Sequence, residues 1–124
     1  MPSPELLHVR EFIDRHYAKA LTVDRLASRC RLSTFHFIRA FRAAFGDTPH
    51  QYLRRRRIER AKELLVTTPL PVTEICDQIG FQSLGSFSTL FRRVTGETPA
   101  AYRATRRRNV YIPGCFVRMF RADR

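Results

Sequence analysis

Thr48–Val66, TPHQYLRRRRIERAKELLV, is the stretch whose reading decides how this chain folds. Thr48 is a good helix N-cap, and Pro49 sits at the first helical position, where its missing N–H costs nothing. Ile58, Ala61, Leu64 and Leu65 then fall on one helical face, with Glu59, Arg60, Lys62 and Glu63 mostly elsewhere. Thr67-Thr68-Pro69 stops the run. The spacing predicts a helix of about 17 residues, about 25 Å long. Arg54–Arg57 cannot all face solvent, because four consecutive residues sweep nearly a full turn.

On either side of this helix the same phrase occurs. STFHFIRAFRAAFGDTPHQY (Ser33–Tyr52) precedes and overlaps it, and SLGSFSTLFRRVTGETPAAY (Ser83–Tyr102) follows it. At an offset of 50, Ser33, Phe37, Phe41, Arg42, Gly46, Thr48, Pro49 and Tyr52 recur as Ser83, Phe87, Phe91, Arg92, Gly96, Thr98, Pro99 and Tyr102. Asp47 and Glu97 add a conservative pair. At an offset of 49, Val23, Leu26, Ala27 and Cys30 face Val72, Ile75, Cys76 and Ile79. Two copies make a duplicated module; a solenoid needs about three.

Taken in order, a helix from Glu5 to about Ala18 carries Leu6, Val9, Ile13 and Tyr17 on one stripe. Thr22 caps a short helix with Val23, Leu26, Ala27 and Cys30 inward. Ser33 caps a longer one that Gly46 ends. Short helix, tight turn and longer helix make a helix-turn-helix. The pattern repeats as a helix over about 72–79, the turn Gly80-Phe81-Gln82, a helix over about 84–95 ended by Gly96, and a short last helix from Pro99 to near Arg103. The expected fold is all-α, with two helix-turn-helix subdomains (about 5–46 and 71–103) joined by the long connecting helix (about 48–66). Residues 1–103 form the domain, and 104–124 a basic and apolar tail.

Composition narrows the partner. The 124 residues carry a net charge of +12 with a pI near 11.1, which calls for an acidic partner: nucleic acid first, a membrane surface second. Paired caps and glycine stops argue against a membrane-surface peptide. No apolar run approaches a membrane span, and MPSPELLHVR has no secretory pattern. Three cysteines without a CxxC suit a reducing compartment, so the cytoplasm is expected.

On the first longer helix, Phe37, Ala40, Phe41, Ala44 and Phe45 form the inward face, and Phe35, Ile38, Arg39 and Arg42 the opposite stripe. A guanidinium among apolar groups suits a major groove, where arginine takes guanine O6 and N7 and apolar groups meet thymine methyls. Thr34 and His36 lie at the helix N-terminus, which approaches the groove first. The competing reading makes Phe35 and Ile38 additional core and Arg39 a solvated charge. The second longer helix offers Leu84, Gly85, Ser88 and Thr89, weaker readers of bases, so either it adds little direct readout or it touches no base at all. Arg42, Arg54, Arg55, Arg92 and Arg93 are candidate phosphate contacts, as are Thr34 and Ser83 at the helix N-termini. Two unlike heads on one chain imply an asymmetric site, bound by a monomer through successive major grooves.

These residues resemble the AraC/XylS family of bacterial transcription regulators. The family's signature is similar to RIERAKELL and VTEICDQIGFQSLGSFSTLFRRVTGETPAAYR here, and the first module matches in LTVDRLASRCRLS and FRAAFGDTPHQYL. The resemblance covers about Glu5–Arg103. It implies a two-module DNA-binding domain acting at promoters in the bacterial cytoplasm and nucleoid, as an activator that contacts RNA polymerase. By position, Phe35, Ile38 and Arg39, then Leu84, Gly85, Ser88 and Thr89, match the family's base-contacting places. Thr89 departs from the long basic or amide side chain many members carry. With only about four residues before the first helix, the chain looks like the family's stand-alone members. A protein-interaction module with little DNA specificity of its own is the rival class.

Cys30 and Cys76 align with Ile79 and Ala27, which makes both core positions. Cys115 has no counterpart. His8, His16, His36 and His50 lack metal-ligand spacing, and no nucleophile with a base is visible, so no metal, cofactor or enzymatic activity is expected. For the tail, folding back over an apolar patch is preferred to forming a hairpin or docking a partner, and a sensor thiol at Cys115 is the minor alternative.

Overall fold

The computed structural model describes residues 2–110. They form seven helices and no strand: α1 (Pro4–His16), α2 (Val23–Arg29), α3 (Thr34–Phe45), α4 (Pro49–Thr67), α5 (Val72–Gln78), α6 (Leu84–Thr95) and α7 (Pro99–Val110). The all-α expectation holds, and α4 is the long helix that its caps and periodicity predict. The chain divides into two compact units inside α4, one up to Glu59 and one from Arg60 onward.

In the first unit each helix is started by a side-chain cap. Ser3 Oγ accepts from Leu6 N, Thr22 Oγ1 from Arg25 N and Ser33 Oγ from His36 N, at 3.2, 3.3 and 3.2 Å. Each satisfies one of the N–H groups that a helix start leaves orphaned. Gly46, at φ 87°, ends α3. Leu6, Val9, Ile13, Leu26, Ala27, Phe37, Phe41 and Leu53 are buried together, with Phe45 and Tyr52 packed against them. Phe41 is the hub, its ring 5.8 Å from Phe37, 4.7 Å from Phe45 and 5.8 Å from Tyr52, each edge-on.

Two polar devices tie α4 to α1. Arg57 donates to the carbonyls of Tyr17 (2.6 Å), the C-cap of α1, and of Lys19 (3.0 Å), two residues beyond it. Burial pushes this guanidinium's pKa down. Tyr52 donates its hydroxyl to Asp14 Oδ1 at 2.6 Å. Arg56 Nε approaches the same oxygen at 3.1 Å, as an ion pair rather than an aligned hydrogen bond. Burial first, then the bond to Asp14, pushes the Tyr52 hydroxyl up to about 12, above the ordinary value near 10. A raised tyrosine pKa favours the native state while the hydroxyl is neutral. Its contribution is therefore complete below about pH 10 and lost as pH climbs toward about 12. Thermal unfolding from pH 9 to 12 should show the wild type losing stability more steeply than Tyr52→Phe; parallel curves would refute the linkage.

The second unit repeats the design. Ser83 Oγ accepts from Ser86 N at 3.1 Å, Gly96 at φ 87° ends α6, and Ile75, Cys76, Ile79, Phe87, Leu90 and Phe91 are buried. Phe91 lies 5.6 Å from Phe87 and 5.3 Å from Tyr102. Cys30 and Cys76 are core positions, as the repeat requires. Their Sγ atoms face the carbonyls of Glu5 (3.7 Å) and Phe81 (3.8 Å), and burial raises both thiol pKa values. Cys115 and the rest of the tail from residue 111 lie outside the described residues.

The last helix needs correction. It was expected to stop near Arg103 but runs to Val110. Its arginines have partners that local reading does not show. Arg103 donates to Leu65 O (3.0 Å) and Thr68 O (3.1 Å), and Arg107 also reaches Thr68 O. Arg106 pairs with Glu97 at 3.1 Å and lies 4.2 Å over the Tyr102 ring. Arg57 and Arg107 stand 50 residues apart in sequence, so the repeat extends to an arginine that closes the end of the preceding long helix in each unit.

Both helix-turn-helix turns contain one residue with positive φ. In the second it is Gly80 (92°), but in the first it is Arg31 (58°), the one non-glycine with positive φ among the described residues. A side chain in this region costs on the order of 1 kcal/mol relative to glycine.

Candidate nucleic-acid interface

The outward face of α3 is built as the residue spacing predicts. Phe35 is 63% exposed, which removes the reading that made it core, while Ile38 is half-buried at the edge of the packed face. The Arg39 guanidinium lies 5.5 Å from the centre of the Phe35 ring, one turn along, so a cation and an aromatic face are presented together. Arg42 is exposed one turn from Ile38 and Arg39, with no ion pair among the described residues.

The start of α3 is polar and held in place. Thr34 Oγ1 donates to Asp24 Oδ1 at 2.5 Å, which anchors α3 to α2. His36 Nδ1 lies 2.8 Å from Ser33 Oγ, and its ring meets the Phe35 ring edge-on at 5.8 Å. With Nδ1 engaged by Ser33, Nε2 is the ring nitrogen left on the exposed edge of His36.

α6 presents a smaller surface. Leu84 is 42% exposed, Gly85 and Thr89 are exposed, and Ser88 is half-buried. A methyl group built on Gly85 meets nothing within 4 Å, and its φ is not in the positive range. Gly85→Ala should therefore stabilise the free protein by about 0.4–1 kcal/mol through the unfolded chain, read as a higher Tm; a lower Tm would mean that the site is crowded. Arg92 and Arg93 are exposed without ion pairs among the described residues, and the Ser83 side chain is used as the cap.

The four arginines of α4 separate by partner. Arg55 pairs with Asp47 and lies 5.4 Å over Tyr52, Arg56 contacts Asp14 and Glu59, and Arg57 holds the end of α1. Arg54 is half-buried, and its charge, after burial and ahead of Arg57, lowers the pKa of His50. The expectation that the four cannot all face solvent holds. The pairing of Arg55 was not legible, because Asp47 lies in a loop eight residues away and shows no helical i, i+4 relation to it. Among the described residues no three His, Cys, Asp or Glu lie together as a metal site, and no helix is long and apolar enough to cross a membrane.

Comparison with known proteins gives this surface a context. A helix-turn-helix domain family matches residues 26–105. The regulatory protein SoxS of Salmonella typhimurium is 36% identical over 93 residues, covering 75% of this chain and 87% of SoxS. The bifunctional transcriptional activator/DNA repair enzyme AdaA of Bacillus subtilis is 34% identical over 104 residues, covering 83% of this chain and 49% of AdaA. The chain spans about a third to a half of the length of AdaA, LumQ and the MmsAB operon regulatory protein. Among solved structures, the DNA-binding domain of AdpA, crystallised in complex with a target DNA, superposes with a TM-score of 0.81 at 36% identity, covering 85% of this chain and 95% of that one. With its twin helix-turn-helix units, the exposed faces of α3 and α6, and these relatives, the chain belongs to the AraC/XylS family of bacterial transcription regulators.

Proposed function

We propose that this chain is a sequence-specific double-stranded DNA-binding transcription regulator, which inserts α3 and α6 into successive major grooves of an asymmetric promoter site. The observation that carries this reading is the face of α3. A phenylalanine 63% exposed on a helix whose core stripe is already filled, with an exposed guanidinium beside it that has no carboxylate partner among the described residues, presents the apolar and two-pronged polar groups that match base edges in a major groove. Phe35, His36, Ile38 and Arg39 are the base-reading residues of the first head. Leu84, Gly85, Ser88 and Thr89 are their counterparts in the second, where small side chains let the DNA come close. Thr34, Ser83, Arg42, Arg54, Arg55, Arg92 and Arg93 contact phosphates, with Arg55 exchanging Asp47 for the DNA backbone. The crystallised AdpA–DNA complex supports DNA as the partner, and the net charge of +12 supports a strong electrostatic share of the affinity.

The two heads differ in sequence, so one protein per duplex on a non-palindromic site is the matching stoichiometry. The rest of the reading is activation at promoters through contact with RNA polymerase, in the bacterial cytoplasm and nucleoid, without an enzymatic step. Selection from random duplexes with the purified chain tests it. Two enriched blocks about one helical turn apart, bound one to one, are the expected result. A palindrome bound by two copies would refute the monomeric site. Enrichment of no sequence, with only a steep salt dependence, would refute specific recognition in favour of a protein-docking role.

A further inference from the structure

The two helix-turn-helix turns close with the same pair of backbone hydrogen bonds but carry different residues: Arg31-Leu32 leads into the cap Ser33, and Gly80-Phe81-Gln82, one residue longer, leads into the cap Ser83. In the first, Arg31 N donates to Ser28 O (3.1 Å) and Leu32 N to Ala27 O (3.2 Å); in the second, Gly80 N donates to Asp77 O (3.2 Å) and Phe81 N to Cys76 O (3.1 Å). The bond that reaches back five residues closes the helix and places the residue before it in the left-handed region, where glycine is the usual occupant. The second turn has glycine there and the first has Arg31 at φ 58°. Within one chain, the twin turn is a control showing that this geometry needs no side chain.

Beyond the two backbone bonds that close the turn, which Gly80 makes equally well, no side-chain contact of Arg31 among the described residues offsets the conformation. Arg31 is exposed, and its guanidinium makes no hydrogen bond or ion pair among the described residues. The turn runs through Leu32 directly into Ser33, the cap of α3, so the charge is carried beside the start of the helix that presents Phe35 and Arg39. Backbone strain that its own surroundings do not repay points to function at the site that carries it.

We propose that Arg31 is a phosphate-contacting residue of the first head: its guanidinium neutralises a DNA backbone phosphate beside the groove that receives α3, a contact that the second head, with Gly80, does not make. The assignment rests on the reading of α3 as a DNA-reading helix. The strained turn gives up some stability of the free protein for affinity on DNA, and the first head becomes the stronger electrostatic anchor.

Arg31→Gly tests this, because it installs the residue that the twin turn already uses. The full chain and the variant are compared by thermal unfolding and by affinity for the selected duplex and an unrelated duplex across a salt series. The expected variant melts about 4–8 °C higher. It binds both duplexes about three- to tenfold more weakly at low salt, and the slope of log affinity against log salt is smaller by about one. A higher Tm with unchanged affinity and slope overturns the proposal, since the conformation would then be merely tolerated. A loss confined to the selected duplex also overturns it, because a phosphate contact is blind to sequence. Arg39→Ala in the same assay separates the two failures. If it weakens specific binding while Arg31→Gly does not, the Arg31 assignment alone has failed; if neither matters, the reading of α3 has failed.

Discussion

Phe41→Ala is expected to cost about 3–5 kcal/mol, enough to unfold the first unit at room temperature. Phe41 is fully buried, and three aromatic rings lie edge-on to it, so truncation removes the transfer energy of the ring and leaves a void its neighbours cannot close. Whole small proteins are stable by only about 5–15 kcal/mol, and a single unit has a fraction of the core. Circular dichroism and two-dimensional amide spectra provide the check: loss of helicity confined to the first unit, with the signals of α5 and α6 retained. Phe35→Ala is the contrast six positions away on the same helix. Being 63% exposed, Phe35 should change stability by no more than about 0.5 kcal/mol when truncated, while DNA binding falls. A loss of only about 1 kcal/mol in Phe41→Ala would show that the aromatic cluster is not the centre of the unit.

Arg39→Ala should lower affinity for the selected site by about tenfold to a hundredfold, corresponding to about 1–3 kcal/mol, and relax preference at one base position. Its cation–π contact with Phe35 is exposed, so losing it costs the free protein little. Affinities for duplexes with each base substituted in turn provide the check. The expected pattern is one position, a guanine in the wild-type site, at which the variant no longer discriminates. A uniform loss at every sequence would reassign Arg39 to a phosphate. Arg39→Lys should recover part of the affinity and less of the discrimination, because an ammonium cannot reproduce the two-pronged geometry of guanidinium on guanine.

Both predictions use features that stand at different depths in the sequence. The helices, their order and most of their ends are legible because they are local. Thr22, Ser33 and Ser83 satisfy donors within three residues, and Gly46 and Gly96 supply the left-handed stop. The outward stripe of α3 is legible for the same reason: helical periodicity that buries Phe37 and Phe41 leaves Phe35 and Arg39 on the other side.

Arginine was not legible in this way, because its long side chain takes partners that local spacing does not reveal. Arg57 bonds to Tyr17 40 residues back, Arg107 to Thr68 39 residues back, and Arg103 to Leu65 38 residues back. These reaches turn residues 104–110, which read as the start of a basic tail, into the continuation of α7, and separate Arg55, Arg56 and Arg57, which look alike in sequence. The sequence alone determined the duplicated all-α architecture, because caps, glycine stops and apolar periodicity act over a few residues. Tertiary structure alone decided which arginines take partners within the protein and which residue bears the strained turn. Both depend on carbonyls and carboxylates brought close by folding, and on a backbone angle that Arg31 shares with Gly80 only because their two turns close with the same hydrogen bonds.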